Sequence, residues 1–450
     1  MKYFTKLAKR KKPIQEAYAE SKKGLVYVAP TGSGKTRVAL RATKGTPTTV
    51  IGTASLQQNF DKEELKAFKT TSKNRTNFTY AKVSRGADLP GGKHLVLDES
   101  QYIRNPSSKT LTTLKRERPE YDKALLLSAT PMYNEPADIA SQVNLVAGAK
   151  KVPTGRDFYK TFYKEKKVSP GLIGSLIGVK PGASRTLKSK KLPKKYMKDY
   201  VYVEDAAKFK DLMPKRDHEQ IKIPMAKEQV HIYKYLSRKA PLSVRYKVKR
   251  DLPPSKTEAR SMNAFLSGMR QASNTTAPFV KDKTTAVSPK MDRMVSDLQT
   301  ELKAGGKVLT YSNFIGSGVT PYTKRLDKAK IPYAKLTGEM SKAERELQVK
   351  KYNTKNKTNV FVYSGAGAEG LNLPKTTMVQ LMEPHWNKAK TTQAESRGIR
   401  RGDDPSRTVD IKEYISVFPH NKRKKTSDQY LAGMSDRKRT EIAHMLKALK

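Results

Sequence analysis

Short apolar runs alternate with longer polar stretches over the first third of the chain. Glycine, proline or polar residues bound each run, as they bound buried parallel strands. The polar stretches between the runs are permissive for helices, so residues 1–150 predict a doubly wound α/β lobe. The four runs are residues 25–28, 49–51, 94–97 and 124–127.

The same alternation returns from about residue 288 and predicts a second α/β lobe over residues 288–417. Its apolar runs are residues 307–310, 333–336, 360–363 and 377–380. The remaining residues, 418–450, are basic and end in a weakly amphipathic helical pattern, so they are expected to form a basic C-terminal tail.

Residues 151–287 have a different character and predict a basic, mostly helical insertion. Residues 151–200 contain fourteen Lys or Arg and only three acids. Interleaved aromatic rings are one way to stack on bases, but we favour the interpretation that most of them form the core of a helical subdomain. The alternating strand and amphipathic helix near 218–236 are expected to return to the first lobe. The aromatic residues are Phe158, Tyr159, Phe162, Tyr163, Tyr196 and Tyr200.

The formal net charge of +49, from 91 Lys and Arg against 42 Asp and Glu, changes this picture most. Such an excess repels itself unless a polyanion is near, and nucleic acid is the usual polyanion; lysine-rich solvated faces are the alternative. The absence of cysteine excludes disulfides and thiolate chemistry. Neither a secretory signal nor an apolar run of membrane-spanning length is present, so we expect an intracellular protein without a membrane partner.

The first candidate for chemistry is a glycine-rich turn at residues 29–36, between a predicted strand and a predicted helix. Backbone amides in such a turn face phosphate oxygens, and the helix N-terminus adds its dipole. Lys35 is expected to reach the β- and γ-phosphates of ATP, and Thr36 to bind Mg²⁺. The other phosphate-binding candidates are Thr31, Gly32, Ser33 and Gly34.

Two acids follow the third apolar run, where ligands bind in open α/β sheets. Asp98 is expected to hold Mg²⁺, and Glu99 to orient and deprotonate the attacking water. The hydroxyl pair in residues 127–131 is a candidate relay of the nucleotide state. Taken alone, each of these features has an ordinary structural explanation.

The second lobe carries a glycine-rich turn at residues 364–373, which includes Gly370 and permits close approach to phosphate. Arg397 and Arg400 lie three residues apart on one predicted helix face. Arginines presented in this way stabilise charge on a transferring γ-phosphoryl group.

Together, these blocks resemble the ordered motifs of superfamily-two helicases over most of residues 12–402. Residues 98–109, 127–134, 383–387 and 393–402 are most similar to the Swi/Snf-type DNA translocases. Two positions depart from that branch: Glu383 stands where it usually has aspartate, and Asp403 where it usually has glutamine.

The resemblance implies a fold and further roles. The fold is α/β, with two RecA-like parallel-sheet lobes, a basic helical insertion and ATP bound in the cleft between the lobes. Gln15 is similar to the glutamine that reads adenine, and Trp386 is expected to be a packing anchor. The residues implied to contact nucleic acid are Thr53, Gln57, Ser312, Asn313, Thr337 and Asn372.

The sequence therefore predicts an ATP- and Mg²⁺-dependent monomeric motor on nucleic acid, with duplex DNA favoured and RNA possible. Its protein partner is expected to be of the replication or transcription kind. One alternative is an RNA-dependent ATPase or helicase. The others are a basic packaging or scaffold protein with a vestigial nucleotide site, and a motor that feeds a nuclease on a separate chain. Weak sequence specificity and steep salt dependence are expected of its binding.

Overall fold

The computed structural model describes residues 12–54, 60–61, 65, 73–255, 258–354, 357–365, 371–399, 403–420 and 424–450. The chain divides into two compact units. Unit 1 comprises Met1–Glu165, Arg185–Phe209 and Lys438–Lys450, and unit 2 comprises Lys166–Ser184 and Lys210–Arg437.

The described strands, numbered along the chain, are β1 (Gly24–Val28), β2 (Thr48–Gly52), β3 (Arg75–Thr79), β4 (Gly92–Asp98), β5 (Tyr121–Ser128), β6 (Tyr163–Val168), β7 (Gly182–Leu187), β8 (Val201–Val203), β9 (Lys215–Pro224), β10 (Val308–Ser312), β11 (Ala334–Leu336), β12 (Val360–Ser364), β13 (Met378–Leu381) and β14 (Thr408–Val417).

The described α-helices are α1 (Lys12–Glu20), α2 (Lys35–Ala42), α3 (Tyr80–Ser84), α4 (Lys109–Glu117), α5 (Asp138–Ala147), α6 (Gly155–Phe162), α7 (Gly171–Leu176), α8 (Lys191–Met197), α9 (Lys227–Lys239), α10 (Leu242–Arg250), α11 (Glu258–Asn274), α12 (Pro289–Lys303), α13 (Thr320–Lys328), α14 (Lys342–Asn353), α15 (Lys388–Gly398) and α16 (Ser427–Leu449).

Unit 1 is built on a six-stranded parallel sheet in the order β3-β2-β4-β5-β1-β8. Both faces of the sheet are buried because alternate side chains of its inner strands enter different cores. Val26 and Val28 of β1 pack in one core, and Leu25 and Tyr27 pack in the other. The near-continuous apolar runs of the sequence follow from this double burial.

Unit 2 contains a second six-stranded parallel sheet, in the order β11-β12-β10-β13-β14-β9. Leu309 and Tyr311 of β10 pack on one face, and Val308 packs on the other. The prediction of two RecA-like parallel-sheet lobes is therefore confirmed.

The strand expected near 218–236 does not return to the first sheet. It is β9, and it pairs along its whole length with β14 of unit 2, from Lys215 opposite Thr408 to Pro224 opposite Val417. Ile221 and Ile223 are buried in the unit 2 core. That prediction was wrong because an alternating pattern identifies a strand without identifying its partner; β8 pairs with β1 instead.

The segment after residue 150 is only partly helical, since β6 and β7 pair in a separate two-stranded sheet. Its aromatic rings are core residues, as favoured above. Phe158, Tyr159, Phe162 and Tyr163 are all buried in the unit 1 core. The aromatic ring of Tyr159 also lies 3.7 Å from the Arg185 guanidinium carbon.

Helices α9, α10 and α11 pack with the start of α16 in a helical cluster of unit 2. Tyr430 and Leu431 of α16 are fully buried there, while Met445 and Leu449 at its other end are buried in unit 1. The last residues therefore form an integrated helix and are not a separate tail. Trp386 packs against this cluster and donates from Nε1 to the Asn263 side-chain oxygen at 2.6 Å.

In the part of the chain that the structure describes, no helix is both long enough and apolar enough to cross a membrane.

Candidate nucleotide and nucleic-acid site

The candidate nucleotide, relay and nucleic-acid residues of unit 1 lie at one edge of its sheet. All strands of the sheet are parallel, so their carboxyl ends meet at that edge. The glycine-rich loop follows β1, Thr53 follows β2, Asp98 ends β4 and Ser128 ends β5. The topology thus brings together residues that are more than ninety positions apart in sequence.

The loop between β1 and α2 has the backbone that its glycines allow. Gly32 has φ 77° and Gly34 has φ 85°, a left-handed conformation that glycine adopts without steric cost. Helix α2 then begins at Lys35, whose Nζ donates to the Ala29 and Pro30 carbonyls at 3.1 Å each. The Ser33 hydroxyl is buried and has no hydrogen-bond partner among the described residues. A phosphate group would supply the missing acceptor.

Three further predicted nucleotide residues lie in or beside this loop. Thr31 is half-buried within the loop, Thr36 is half-buried in the first turn of α2, and Gln15 is half-buried on α1. Helix α1 is anchored in the same core as β1 and α2 by Ile14 and Tyr18. Gln15 is therefore held on a helix that packs beside the loop.

The Asp98 carboxyl is 4% exposed, and it accepts the Glu99 backbone N–H at 3.0 Å. Burial and, next, the neighbouring Glu99 raise the pKa of Asp98, whereas Lys35 and the backbone hydrogen bond lower it; the net pKa is about 7. Glu99 has φ 54° and ψ 52°, left-handed values that are uncommon for a residue with a side chain. Such strain often marks a functional position.

A chain of hydrogen bonds connects Glu99 to the end of β5. The Gln101 amide donates to Glu99 Oε2 at 2.8 Å, and the Ser128 hydroxyl donates to Gln101 Oε1 at 2.6 Å. Ser128 Oγ in turn accepts the Thr130 backbone N–H at 3.0 Å. The carboxylate and the hydroxyl pair are thus linked through Gln101, to which the sequence analysis gave no role; its position three residues after Asp98 was the available signal.

A second link runs in parallel with this chain. The Ser100 hydroxyl donates to Gln142 Oε1 at 2.7 Å, and Gln142 Nε2 donates to the Pro131 carbonyl at 2.6 Å. The loops that follow β4 and β5 are therefore held together at two points.

The donor set around the loop fits Mg²⁺, which prefers oxygen ligands and keeps several waters. Asp98 offers a carboxylate and Thr36 offers a hydroxyl. No group of three or more His, Cys, Asp or Glu suited to a metal occurs within the described ranges. A Mg²⁺ site made by Asp98, Thr36 and the substrate phosphates does not need such a group of side chains.

In unit 2, Ser312 and Asn313 lie at the carboxyl end of β10. The Ser312 hydroxyl is fully buried and donates to the two oxygens of Glu383 at 3.2 and 3.1 Å. The Asn313 backbone N–H also donates to Glu383. The Ser312 side chain therefore faces the interior, while Asn313 is half-buried.

The other second-lobe candidates lie in varied surroundings. Thr337 follows β11 and is buried, Asn372 is exposed, and Arg397 is half-buried on α15. The Arg397 carbonyl accepts the Leu373 backbone N–H at 3.0 Å. Gln57, Gly370 and Arg400 lie outside the described residues.

Known proteins resemble this chain along most of its length. An ATPase core of Sulfolobus solfataricus SWI2/SNF2 in complex with dsDNA shares 19% identity and covers 91% of this chain and 87% of its own, with a TM-score of 0.38. A putative ATP-dependent RNA helicase of Acanthamoeba polyphaga mimivirus is 30% identical over 95% of this chain and 93% of its own length. A second putative ATP-dependent RNA helicase of that virus is 24% identical over 74% of this chain and 61% of its own.

Two known domain families match consecutive parts of the sequence. The SNF2-related domain matches residues 52–277, half of the chain, and the helicase conserved C-terminal domain matches residues 290–402. The chain therefore belongs to the SNF2-related family of superfamily-two helicases and is a nucleic-acid-dependent ATPase.

Proposed function

We propose that this protein couples ATP hydrolysis to movement along duplex DNA. The observation that carries the proposal is the hydrogen-bonded chain from Glu99 through Gln101 to Ser128, beside the phosphate loop. It connects Glu99, the proposed base for the attacking water, with the hydroxyl pair of Ser128 and Thr130 at the end of β5. A nucleotide-dependent shift of Glu99 would therefore displace the loop that follows β5.

The residues of unit 1 divide the hydrolytic work. Lys35 exchanges the carbonyls of Ala29 and Pro30 for the β- and γ-phosphates, and Ser33 donates its otherwise unused hydroxyl. Thr36 and Asp98 would hold Mg²⁺, which when bound neutralises charge on the phosphates. Glu99, oriented by Gln101, accepts the proton of the attacking water.

The remaining site assignments are part of the same proposal. Gln15 distinguishes adenine from other bases, and Arg397 and Arg400 stabilise charge on the γ-phosphate. Thr53, Gln57, Asn313, Thr337 and Asn372 contact the nucleic-acid backbone, and Gly370 permits close approach to phosphate. The protein acts as an intracellular monomer, with a replication or transcription complex as its partner.

Steady-state ATP hydrolysis without polymer, and with duplex DNA, single-stranded DNA or RNA, tests the proposal. Duplex DNA is expected to stimulate hydrolysis most, and Lys35→Ala to abolish it. Lys93→Ala is the matched control, because Lys93 is an exposed lysine at the opposite end of β4. Displacement of a triplex-forming third strand then reports movement without strand separation. Stimulation of ATP hydrolysis by duplex DNA without displacement of the third strand would contradict the proposed translocation.

An RNA-dependent ATPase or helicase is the second candidate. The names of both mimivirus relatives favour it, since each is a putative ATP-dependent RNA helicase. The same assay separates the two, because greater stimulation by RNA than by duplex DNA would replace DNA with RNA as the substrate.

A further inference from the structure

Arg270 is a nearly buried cation in unit 2 to which the sequence analysis gave no role. It lies on α11 and is 5% exposed. Its Nη2 donates to the Pro384 carbonyl at 2.9 Å, and its guanidinium carbon lies 5.0 Å from the centre of the Phe314 ring. Its Nε has no hydrogen-bond partner among the residues that the structure describes. A buried cation with an unused donor is costly unless an anion can reach it.

Asn313 offers a second unused donor beside Phe314. Its Oδ1 accepts the Tyr311 hydroxyl at 3.0 Å, and its backbone N–H is bonded to Glu383. The side-chain Nδ2 is buried, and no described residue accepts a hydrogen bond from it. The amide is therefore oriented with its oxygen satisfied and its nitrogen available.

Lys390 on α15 brings a second cation to the same place. A Cβ built on Gly365 would lie 3.3 Å from Lys390 Nζ and 3.0 Å from the Tyr311 hydroxyl, so both groups lie close to the Gly365 backbone and to each other. Burial lowers the pKa of Lys390, and the positive charge of Arg270 lowers it further, whereas Glu383 raises it. The two cations therefore share one electrostatic environment.

Glu383 is the acid of this region, and its oxygens are already used. It is 1% exposed, and it accepts from the Ser312 hydroxyl, the Asn313 backbone and Asn274 Nδ2, the last at 3.0 Å. One carboxylate therefore faces two cations, and the unused groups are donors. This chemistry suits an oxyanion better than a cation or a neutral ligand.

We propose that Arg270, Asn313 and Lys390, termed the donor cluster, bind one phosphate group of the nucleic-acid backbone. The choice of a backbone phosphate rests on the proposed function, and a nucleotide phosphate would satisfy the same donors. Arg270 supplies a fixed charge from a helix outside the predicted contact segments.

The test is the salt dependence of nucleic-acid binding by Lys390→Gln and Arg270→Gln. Loss of one phosphate contact lowers the slope of log K against log salt by about 0.9 for duplex and about 0.7 for single strands. Lys388→Gln is the matched control, because Lys388 lies on the same helix and pairs with Glu413 at 3.8 Å. Each variant loses one positive charge, and only the variants of the donor cluster should lower the slope of log K against log salt by this amount.

Binding of ATP without polymer distinguishes the two sources of phosphate. An unchanged slope with a weaker Kd for ATP would overturn the backbone assignment in favour of a nucleotide phosphate. An unchanged slope and an unchanged Kd would overturn the site. Lys390→Gln keeps the test decisive if Arg270→Gln fails to fold, because Lys390 is only half-buried. If no polymer stimulates the wild-type ATPase, the proposed function fails, while the binding slopes still judge the donor cluster.

Discussion

Replacing Asp98 with asparagine is expected to stabilise unit 1 at pH 8, although it removes the proposed Mg²⁺ ligand. Burial and the adjacent Glu99 raise the pKa of Asp98 from 3.8 to about 7. The folded chain therefore holds this proton more tightly than the unfolded chain. The free energy of unfolding falls as the pH rises from about 4 to about 7 and is level above that range.

The size of the effect follows from the pKa values. At about 1.4 kcal/mol for each tenfold change in proton affinity, the raised pKa lowers the free energy of unfolding, relative to acidic pH, by at most about 4 kcal/mol at pH 8 and about 2 kcal/mol at pH 5. Asparagine carries no charge, and its oxygen can still accept the Glu99 backbone N–H. The gain from Asp98→Asn should therefore be larger at pH 8 than at pH 5.

Amide hydrogen exchange of β5, measured without nucleotide or Mg²⁺, is the appropriate assay. Fluorescence of the single tryptophan would report on unit 2, where Trp386 lies. Asp122→Asn is the control, because Asp122 is an exposed acid on β5 itself. Equal protection of wild type and Asp98→Asn at pH 8, or a gain that does not grow with pH, would refute the reasoning.

Three other substitutions test separate parts of the structure. Ser128→Ala should lower polymer-stimulated kcat tenfold or more, with little change in KM for ATP. The control Ser100→Ala removes a buried hydroxyl that is bonded to a different glutamine, and it should retain stimulation of kcat by polymer. Steady-state kinetics would show whether the two variants differ. Gly24→Ala should prevent folding, because its Cβ would lie 1.9 Å from a β5 carbonyl. The control Gly45→Ala has no described heavy atom within 4 Å of its Cβ, so it should lower the free energy of unfolding in urea by only about 1 kcal/mol. Phe158→Ala should cost about 3–5 kcal/mol and leave nucleic-acid Kd unchanged below the melting temperature; weaker binding by a folded variant would contradict a purely core role.

The sequence predicted the elements of both sheets well where strands are buried on both faces. Such strands must be apolar throughout, so residues 25–28, 94–97 and 124–127 stand out and coincide with β1, β4 and β5. Strand β3 was not predicted, because it lies at the sheet edge and its residues are mostly half-buried and polar. Strands β6 and β7 were missed within a segment whose lysines obscure any alternation.

Local chemistry was also available from the sequence, because a phosphate loop needs only adjacent residues. The glycines, Lys35 and Thr36 are contiguous, and Asp98 and Glu99 follow directly from the end of an apolar strand. Composition gave the positive charge. The site motifs follow from residues that are adjacent in the sequence, and the charge follows from composition, so neither requires knowledge of the tertiary structure.

Tertiary structure alone decided the contacts between distant segments. Pairing placed β9 in the second sheet, although its pattern fits either. Burial turned the Ser312 hydroxyl towards Glu383, and it brought Arg270, Asn313 and Lys390 to one place across more than one hundred residues. Hydrophobic periodicity states which face of an element is buried, but not what covers it, and the covering residues determine which polar groups remain available for a ligand.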